Sequence, residues 1–151
     1  MMNVLMRSLA GTAALVMAGS VGTAVAAPEG WQPLLEPAAL DAILEQDGDV
    51  RVVRLTGEYD AGHIPGAVSI PYGQFRGPGA NPGQLPDLDQ LTGLLQEAGI
   101  GAGTPVVLVH AGQSAPDMGA ATRVYWTLKS LGVQDLAVLN GGFQALSLIH
   151  I

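Results

Sequence analysis

The residues best suited to chemistry in this chain lie in the ten-residue segment His110 to Gly119. It contains His110, Ser114 and Asp117, the residue types of a hydrolytic triad. Such types meet by chance in many loops, and a serine nucleophile in an α/β fold is normally framed by a G-x-S-x-G turn. No such turn surrounds Ser114, so the spacing does not favour triad chemistry.

A second polar group, Glu58, Asp60 and His63, could serve acid–base chemistry or bind a metal. Zinc sites need several His or Cys ligands at set spacings, and no second His or Cys lies at such a distance from His63. Gly62 and Gly66 flank this histidine and allow a tight corner. We therefore expect no metal site here and no bound cofactor.

The chain contains no cysteine. This excludes a thiolate nucleophile, a cysteine-dependent phosphatase mechanism and any disulfide. Net charge is −7, with 6 basic and 13 acidic residues. Because no basic stripe is present, nucleic acid is not an expected partner.

Hydrophobic periodicity and turn residues predict alternating strands and helices. Predicted helices cover 37–46, 87–98 and 118–131, and predicted strands cover 33–35, 50–55, 67–71, 105–109 and 136–139. Segment 72–86 has four glycines and three prolines and is predicted to be a long loop. The wholly apolar strands favour an α/β fold with a mostly parallel sheet, with strand 106–109 central and strand 136–139 beside it.

Three sequence blocks resemble the rhodanese-like domain family. The first, Glu58 to Pro71, contains E-Y-x-x-G-H-I-P-G-A; the others are 106–129 and 131–143. The resemblance covers 31–145 and implies a rhodanese-like three-layer sandwich with a mostly parallel central sheet. The last two blocks are most similar to the non-catalytic amino-terminal domain of tandem-domain thiosulfate sulfurtransferases. The residues implied to be structural are Glu58, Tyr59, Gly62, His63, Gly66, Gly141 and Gly142.

The resemblance also implies a vestigial active-site loop. Active members begin this loop with a cysteine that carries a persulfide, whereas His110 follows Val109 here. We therefore expect no catalytic residue in this chain. The loop could still hold a sulfur-containing anion on backbone N–H groups, or form a domain interface. The candidate binding residues are His110, Ala111, Gly112, Gln113, Ser114, Gly119 and Arg123.

Two cations near this loop have alternative roles. Arg123 could bind an anion or pack against Tyr125 and Trp126, and Arg76 in the 72–86 loop could face a partner domain. Many family members carry Asp-x-Arg before the first block, where this chain has Arg54-Leu55-Thr56. This departure weakens the expectation of the usual polar network.

Two functions follow from the resemblance. The first is an amino-terminal domain of an exported thiosulfate sulfurtransferase, whose second rhodanese domain carries out sulfur transfer. The alternative is a stand-alone, non-catalytic module that binds an anion or a protein partner.

The first 26 residues are predicted to be a signal peptide. Arg7 precedes the uncharged, small-residue run 8–21, and Ala24-Val25-Ala26 matches an A-x-A cleavage site. We expect export, in a bacterium to the periplasm, and no stable membrane anchor after cleavage. A spanning anchor is the alternative, but the run is weakly hydrophobic for that role.

The last six residues, 146–151, depart from the family pattern. They match one reading frame of a common sequencing adapter, so we expect a non-native tail and a carboxyl-terminally truncated domain; a genuine apolar tail is the alternative. Loss of the helix that normally follows Gly142 would leave strands 106–109 and 136–139 partly uncovered.

Overall fold

The computed structural model describes residues 26–46 and 48–148. The predicted signal segment up to residue 25, the predicted helix stop at Asp47 and the tail residues 149–151 lie outside this range. The strands are β1 (Leu34–Leu35), β2 (Arg51–Arg54), β3 (Val68–Ser69), β4 (Val106–Val109) and β5 (Leu136–Leu139). The helices are α1 (Pro37–Leu44), α2 (Leu88–Glu97), α3 (Ala115–Ser130) and α4 (Gly142–Leu148), with a 3-10 helix at Tyr72–Phe75.

The five strands form one parallel sheet in the order β1-β5-β4-β2-β3. Val107 pairs with Val52 on one side and with Ala137 on the other, so β4 is central and β5 is its neighbour. The predicted α/β class, parallel pairing and strand neighbours are confirmed. The carboxyl ends of β2 and β4 consequently lie side by side, where ligands of such sheets gather.

Alternating side chains of the buried strands build a core on each face of the sheet. Val106 and Leu108 point to the face covered by α2 and α3, whereas Val107 and Val109 point to the face covered by α1 and α4. Leu146 of α4 packs in the second cluster and is 5% exposed. The fold is therefore three-layered, with helices on both faces.

The expectation of partly uncovered strands is wrong for the described residues. All residues of β4 and β5 are at most 3% exposed. The physical reason is that α4 does form after Gly142 and, together with α1, covers that face.

Two predicted boundaries also need correction. Helix α3 begins at Ala115, three residues before the predicted start, because Ser114 and Asp117 form a capping box and Pro116 fits the first turn. The predicted loop 72–86 opens with the 3-10 helix, whose Phe75 is buried in the first core cluster. Within the described ranges, none of the helices has the length and apolar character to cross a bilayer.

Candidate functional site at the carboxyl ends of the central strands

The candidate site lies where β2 and β4 end. The N–H of Leu55 donates to the carbonyl of Val109 at 2.9 Å, which extends the pairing of the two strands by one residue. The segments that follow, 54–57 and 110–117, are thereby brought into contact although about 55 residues separate them in sequence.

Asp117 is the centre of the hydrogen bonding in this loop. Its Oδ2 accepts from the N–H groups of Gln113 and Ser114, at 3.0 and 3.1 Å. Its Oδ1 accepts from the Thr56 hydroxyl at 3.2 Å, and Thr56 Oγ1 in turn accepts from the N–H of Ala111 at 2.9 Å. Burial, the largest single influence, favours the neutral acid. The hydrogen bonds outweigh it and hold the pKa of Asp117 below its ordinary value.

The loop thus supplies its own anion. Backbone N–H groups that precede a helix are the usual donors to a bound oxyanion. Here the donors of Gln113 and Ser114 are directed at the Asp117 carboxylate, and that of Ala111 is directed at Thr56. An external anion on these three donors would have to displace partners that belong to the chain itself.

His110 is buried beneath the loop and is 3% exposed. Neither ring nitrogen has a hydrogen-bond partner of ordinary geometry. The pKa of His110 is lowered, and burial of the ring is the largest cause. The Asp117 carboxylate and the Leu139 backbone act in the opposite direction, and the positive charge of Arg54 adds to the lowering. Since the ring bonds to neither Ser114 nor Asp117, no hydrolytic triad forms.

The loop is fastened to the start of α4 by its backbone. The carbonyls of His110 and Ala111 accept from the N–H groups of Phe143 and Gln144, at 2.8 and 3.1 Å. A Cβ on Gly142 would lie 2.5 Å from the His110 carbonyl oxygen, so only glycine fits this approach. The Gly141-Gly142 pair therefore holds the loop and α4 together.

Arg54 is a site residue that sequence reasoning missed. It is 5% exposed, its Nε donates to the Thr56 carbonyl at 2.7 Å, and its guanidinium lies 4.2 Å from the centre of the Phe143 ring. Burial lowers the pKa of Arg54, and Asp117 partly opposes that effect. The signal available in the sequence was a charged residue directly after two β-branched residues of a strand, Val52-Val53-Arg54. The segment Arg54 to Thr56, which looked like a weakened motif, is in fact part of a polar network.

Other candidate residues lie away from the loop. Gly119 is exposed within α3, and Arg123 donates through Nη2 to the Gly83 carbonyl while its guanidinium lies 6.0 Å from the Trp126 ring. Arg76 is exposed and lies 5.6 Å from the Tyr72 ring. The structure joins the residues of the 110–117 loop to one another and to Thr56. Arg76 and Arg123 make their contacts with other segments.

The 58–67 turn is held by its aromatic residues. The Tyr59 hydroxyl donates to the Ala67 carbonyl at 2.6 Å, and His63 Nδ1 lies 3.0 Å from the Tyr59 carbonyl. The two rings are stacked at 3.9 Å. Gly66, at φ +78°, adopts a conformation that favours glycine. His63 thus acts inside the turn. Glu58 is exposed at the rim of the neighbouring cleft.

Comparison with known proteins agrees with this architecture. The sequence profile described as "Rhodanese-like domain" matches residues 36–148, which is most of the chain. The chain belongs to this family. The rhodanese-like domain is also 39% identical, over 97 residues, to a Synechococcus elongatus protein named "Putative thiosulfate sulfurtransferase". That match covers 64% of this chain and 29% of the relative.

Solved structures share the rhodanese-like fold. The crystal structure of YnjE superposes with a TM-score of 0.67 at 26% identity and covers 79% of this chain and 30% of that one. The 3-mercaptopyruvate sulfotransferase SseA from Escherichia coli superposes with a TM-score of 0.64 at 18% identity, over 80% of this chain and 49% of its own. At that identity SseA shows the fold alone. This chain therefore spans less than half the length of each of these relatives.

Proposed function

We propose that this rhodanese-like domain is the non-catalytic, amino-terminal domain of an exported thiosulfate sulfurtransferase. Its relation to the 39% identical Synechococcus protein and its 29% share of that protein's length support a larger parent enzyme. A second rhodanese domain would then be its partner and would supply the nucleophile.

The observation that carries the proposal is the content of the loop after β4. Sulfur transfer of this type needs a thiolate, which takes the outer sulfur of thiosulfate, releases sulfite and passes the sulfur to a thiol or cyanide. The chain has no cysteine, and the place after Val109 holds a buried imidazole. The N–H donors that could hold a persulfide are already bonded to Asp117 and Thr56.

The loop fits a structural or interface role better than that of an anion cradle. Its carbonyls are bonded to α4, and three of its N–H groups are bonded within the chain. This favours the domain of a larger enzyme over a stand-alone module that binds an anion at the same donors.

Two measurements test this proposal. Purified residues 27–151 should form no thiocyanate from thiosulfate and cyanide above the buffer rate. The gene should continue beyond codon 145 into a second domain whose loop contains cysteine, and a Cys→Ser change there should abolish activity of the full-length enzyme. Turnover by residues 27–151 that disappears in His110→Ala would contradict the proposal. A stop codon directly after codon 145 would support the stand-alone module instead.

Export is part of the same proposal. The A-x-A sequence 24–26 supports cleavage before Ala27. Amino-terminal sequencing of protein recovered from the periplasm of an expressing bacterium should begin at Ala27. Recovery of the uncleaved chain in the membrane fraction would indicate an anchor.

A further inference from the structure

The Arg54 guanidinium is buried with fewer partners than a buried cation needs. Its Nε donates to the Thr56 carbonyl, but Nη1 is enclosed without a hydrogen-bond partner. Among the described residues no carboxylate forms an ion pair with it. Burial of a charge is costly unless the charge is paired and hydrogen-bonded, so this group favours an added acceptor.

A cleft of about 400 Å3 leads to this arginine from the surface. Gly57, Glu58 and Gln113 at its rim are exposed, so solutes can enter from solvent. The complete lining is Arg54, Gly57, Glu58, Ala61, Gly62, Gln113 and Phe143.

Gly57 keeps one side of the guanidinium reachable. At φ +82° it adopts a conformation that favours glycine, and a Cβ at this position would lie 2.9 Å from Arg54 Nη2 and 3.1 Å from the Ala111 Cβ. Nη2 therefore lies beside the cleft wall that lacks a side chain. Phe143 covers a face of the guanidinium and Nη1 is enclosed, so a ligand in the cleft reaches the guanidinium at Nη2.

We propose that this cleft binds a small oxyanion on the Arg54 guanidinium. Carboxylates and the oxyanions of sulfur or phosphorus supply oxygens that accept strong, charge-assisted hydrogen bonds from a guanidinium N–H. The site is separate from the loop donors that Asp117 already occupies. It does not depend on the sulfurtransferase assignment, because it requires only the cleft and its cation.

The charges around the cleft determine how tight the binding is. Glu58 is the exposed carboxylate on the rim and opposes an anion. Asp117 lies beyond Thr56 and is engaged by three donors, and burial lowers the pKa of His110, which disfavours its charged form. Of the charged residues that line the cleft, Arg54 attracts an anion and Glu58 repels it, so neutralising Glu58 should strengthen binding.

The test is an NMR titration of the purified chain with sodium thiosulfate, sodium sulfate and sodium acetate, at ionic strength held constant with chloride. We expect saturable shifts of the backbone amides of Gly57, Glu58 and Gln113. Arg54→Gln and Gly57→Ala should each weaken binding at least tenfold. Glu58→Gln should strengthen it up to about fivefold, the range expected for removal of one exposed like charge. Arg76→Gln, which removes an exposed arginine elsewhere, is the matched control and should leave binding unchanged.

The outcomes separate the possible ligands and sites. Saturation by thiosulfate and sulfate but not acetate supports a sulfur-oxyanion site, and saturation by all three supports a general oxyanion site. Absence of saturable shifts in both the native chain and Glu58→Gln overturns the proposal. The proposal is also overturned if the shifts are confined to the Ala111 and Ser114 amides, or if binding persists in a folded Gly57→Ala variant. If Arg54→Gln does not fold, the Gly57 and Glu58 variants decide the question.

Discussion

At the scale of single residues, Asp117 determines the local structure of the loop after β4. Its carboxylate takes part in the capping box of α3 and accepts a hydrogen bond from Thr56, which follows β2. It also accepts from the N–H groups of Gln113 and Ser114, the donors that an external anion would need. A charged side chain so placed stabilises the loop and at the same time fills the anion position. The lowered pKa of Asp117 agrees with this role.

Asp117→Asn should destabilise the protein by about 2–3 kcal/mol. An amide keeps a single acceptor oxygen and loses the charge that strengthens bonds from three donors. Urea unfolding followed by tryptophan fluorescence measures the change. Asp87→Asn is the matched control: Asp87 caps α2 through one bond from the Asp89 N–H, and Asn caps nearly as well as Asp, so less than about 0.5 kcal/mol is expected. Equal losses in both variants would show that Asp117 is an ordinary cap.

Burial of His110 should make stability depend on pH. Above its ordinary pKa of 6.5 the imidazole is neutral in the folded and unfolded chains, so it contributes no pH dependence. Below 6.5 the unfolded chain takes up a proton that the folded protein, with its lowered pKa, does not. Stability should therefore fall as pH decreases through this range, by up to about 1.4 kcal/mol per pH unit.

Unfolding measured between pH 8 and 5 tests this dependence. In His110→Gln the decrease below pH 6.5 should become shallower, whatever the overall stability of the variant. An unchanged slope in His110→Gln would contradict the assignment.

At the scale of elements, the contact between the 110–112 loop and the turn from β5 into α4 decides the shape of the site. Gly112, at φ +84°, approaches Gly141 so closely that a Cβ would lie 2.0 Å from the Gly141 carbonyl oxygen. The two segments are also joined by backbone hydrogen bonds. This contact leaves no room for side chains, which explains why Gly112, Gly141 and Gly142 lie at its centre.

Gly142→Ala should cost about 3–5 kcal/mol. Its new Cβ would meet the His110 carbonyl at 2.5 Å and the His110 ring at 2.8 Å, and alanine is strained at φ +63°. Gly66→Ala is the matched control, since Gly66 has φ +78° and an added methyl group there would have no atom within 4 Å; strain alone predicts about 1–2 kcal/mol. Thermal unfolding of both variants separates crowding from backbone strain. Equal effects would argue against the close packing of loop and α4.

At the scale of the whole molecule, stability depends on two apolar clusters that share one sheet. With no cysteine available for a disulfide, these clusters and the backbone ladder hold the domain together. The second cluster contains Leu146 of α4 together with Leu40 and Ile43 of α1. Residue 146, predicted to begin a non-native tail, is therefore part of the described core, and the origin of 146–151 stays a prediction.

Leu146→Ala should destabilise the domain by about 2–4 kcal/mol, since it removes a side chain that is 5% exposed. Leu88→Ala changes a leucine that is 58% exposed and should stay within about 0.5 kcal/mol of the parent. Chemical denaturation measures both. A neutral Leu146→Ala would mean that α4 contributes little and that this face of the sheet relies on α1.

The sequence by itself determined the family, the fold class and the lack of a thiolate. Apolar strands such as Val106–Val109 and Leu136–Leu139 can be buried only inside a sheet covered on both faces, and the 58–71 block identifies the turn and strand beside them. A thiolate nucleophile requires a cysteine, so the absence of a thiolate follows from the residue types alone, without coordinates.

Only the tertiary structure decided what fills the loop and which cation faces the cleft. Thr56 and Asp117 are 61 residues apart, and their hydrogen bond exists because β2 and β4 are adjacent in the sheet. Arg54 looked like part of a departure from a motif until its burial against Phe143 placed it in the site. Such contacts arise from strand order and packing between distant segments, which local periodicity and spacing do not specify.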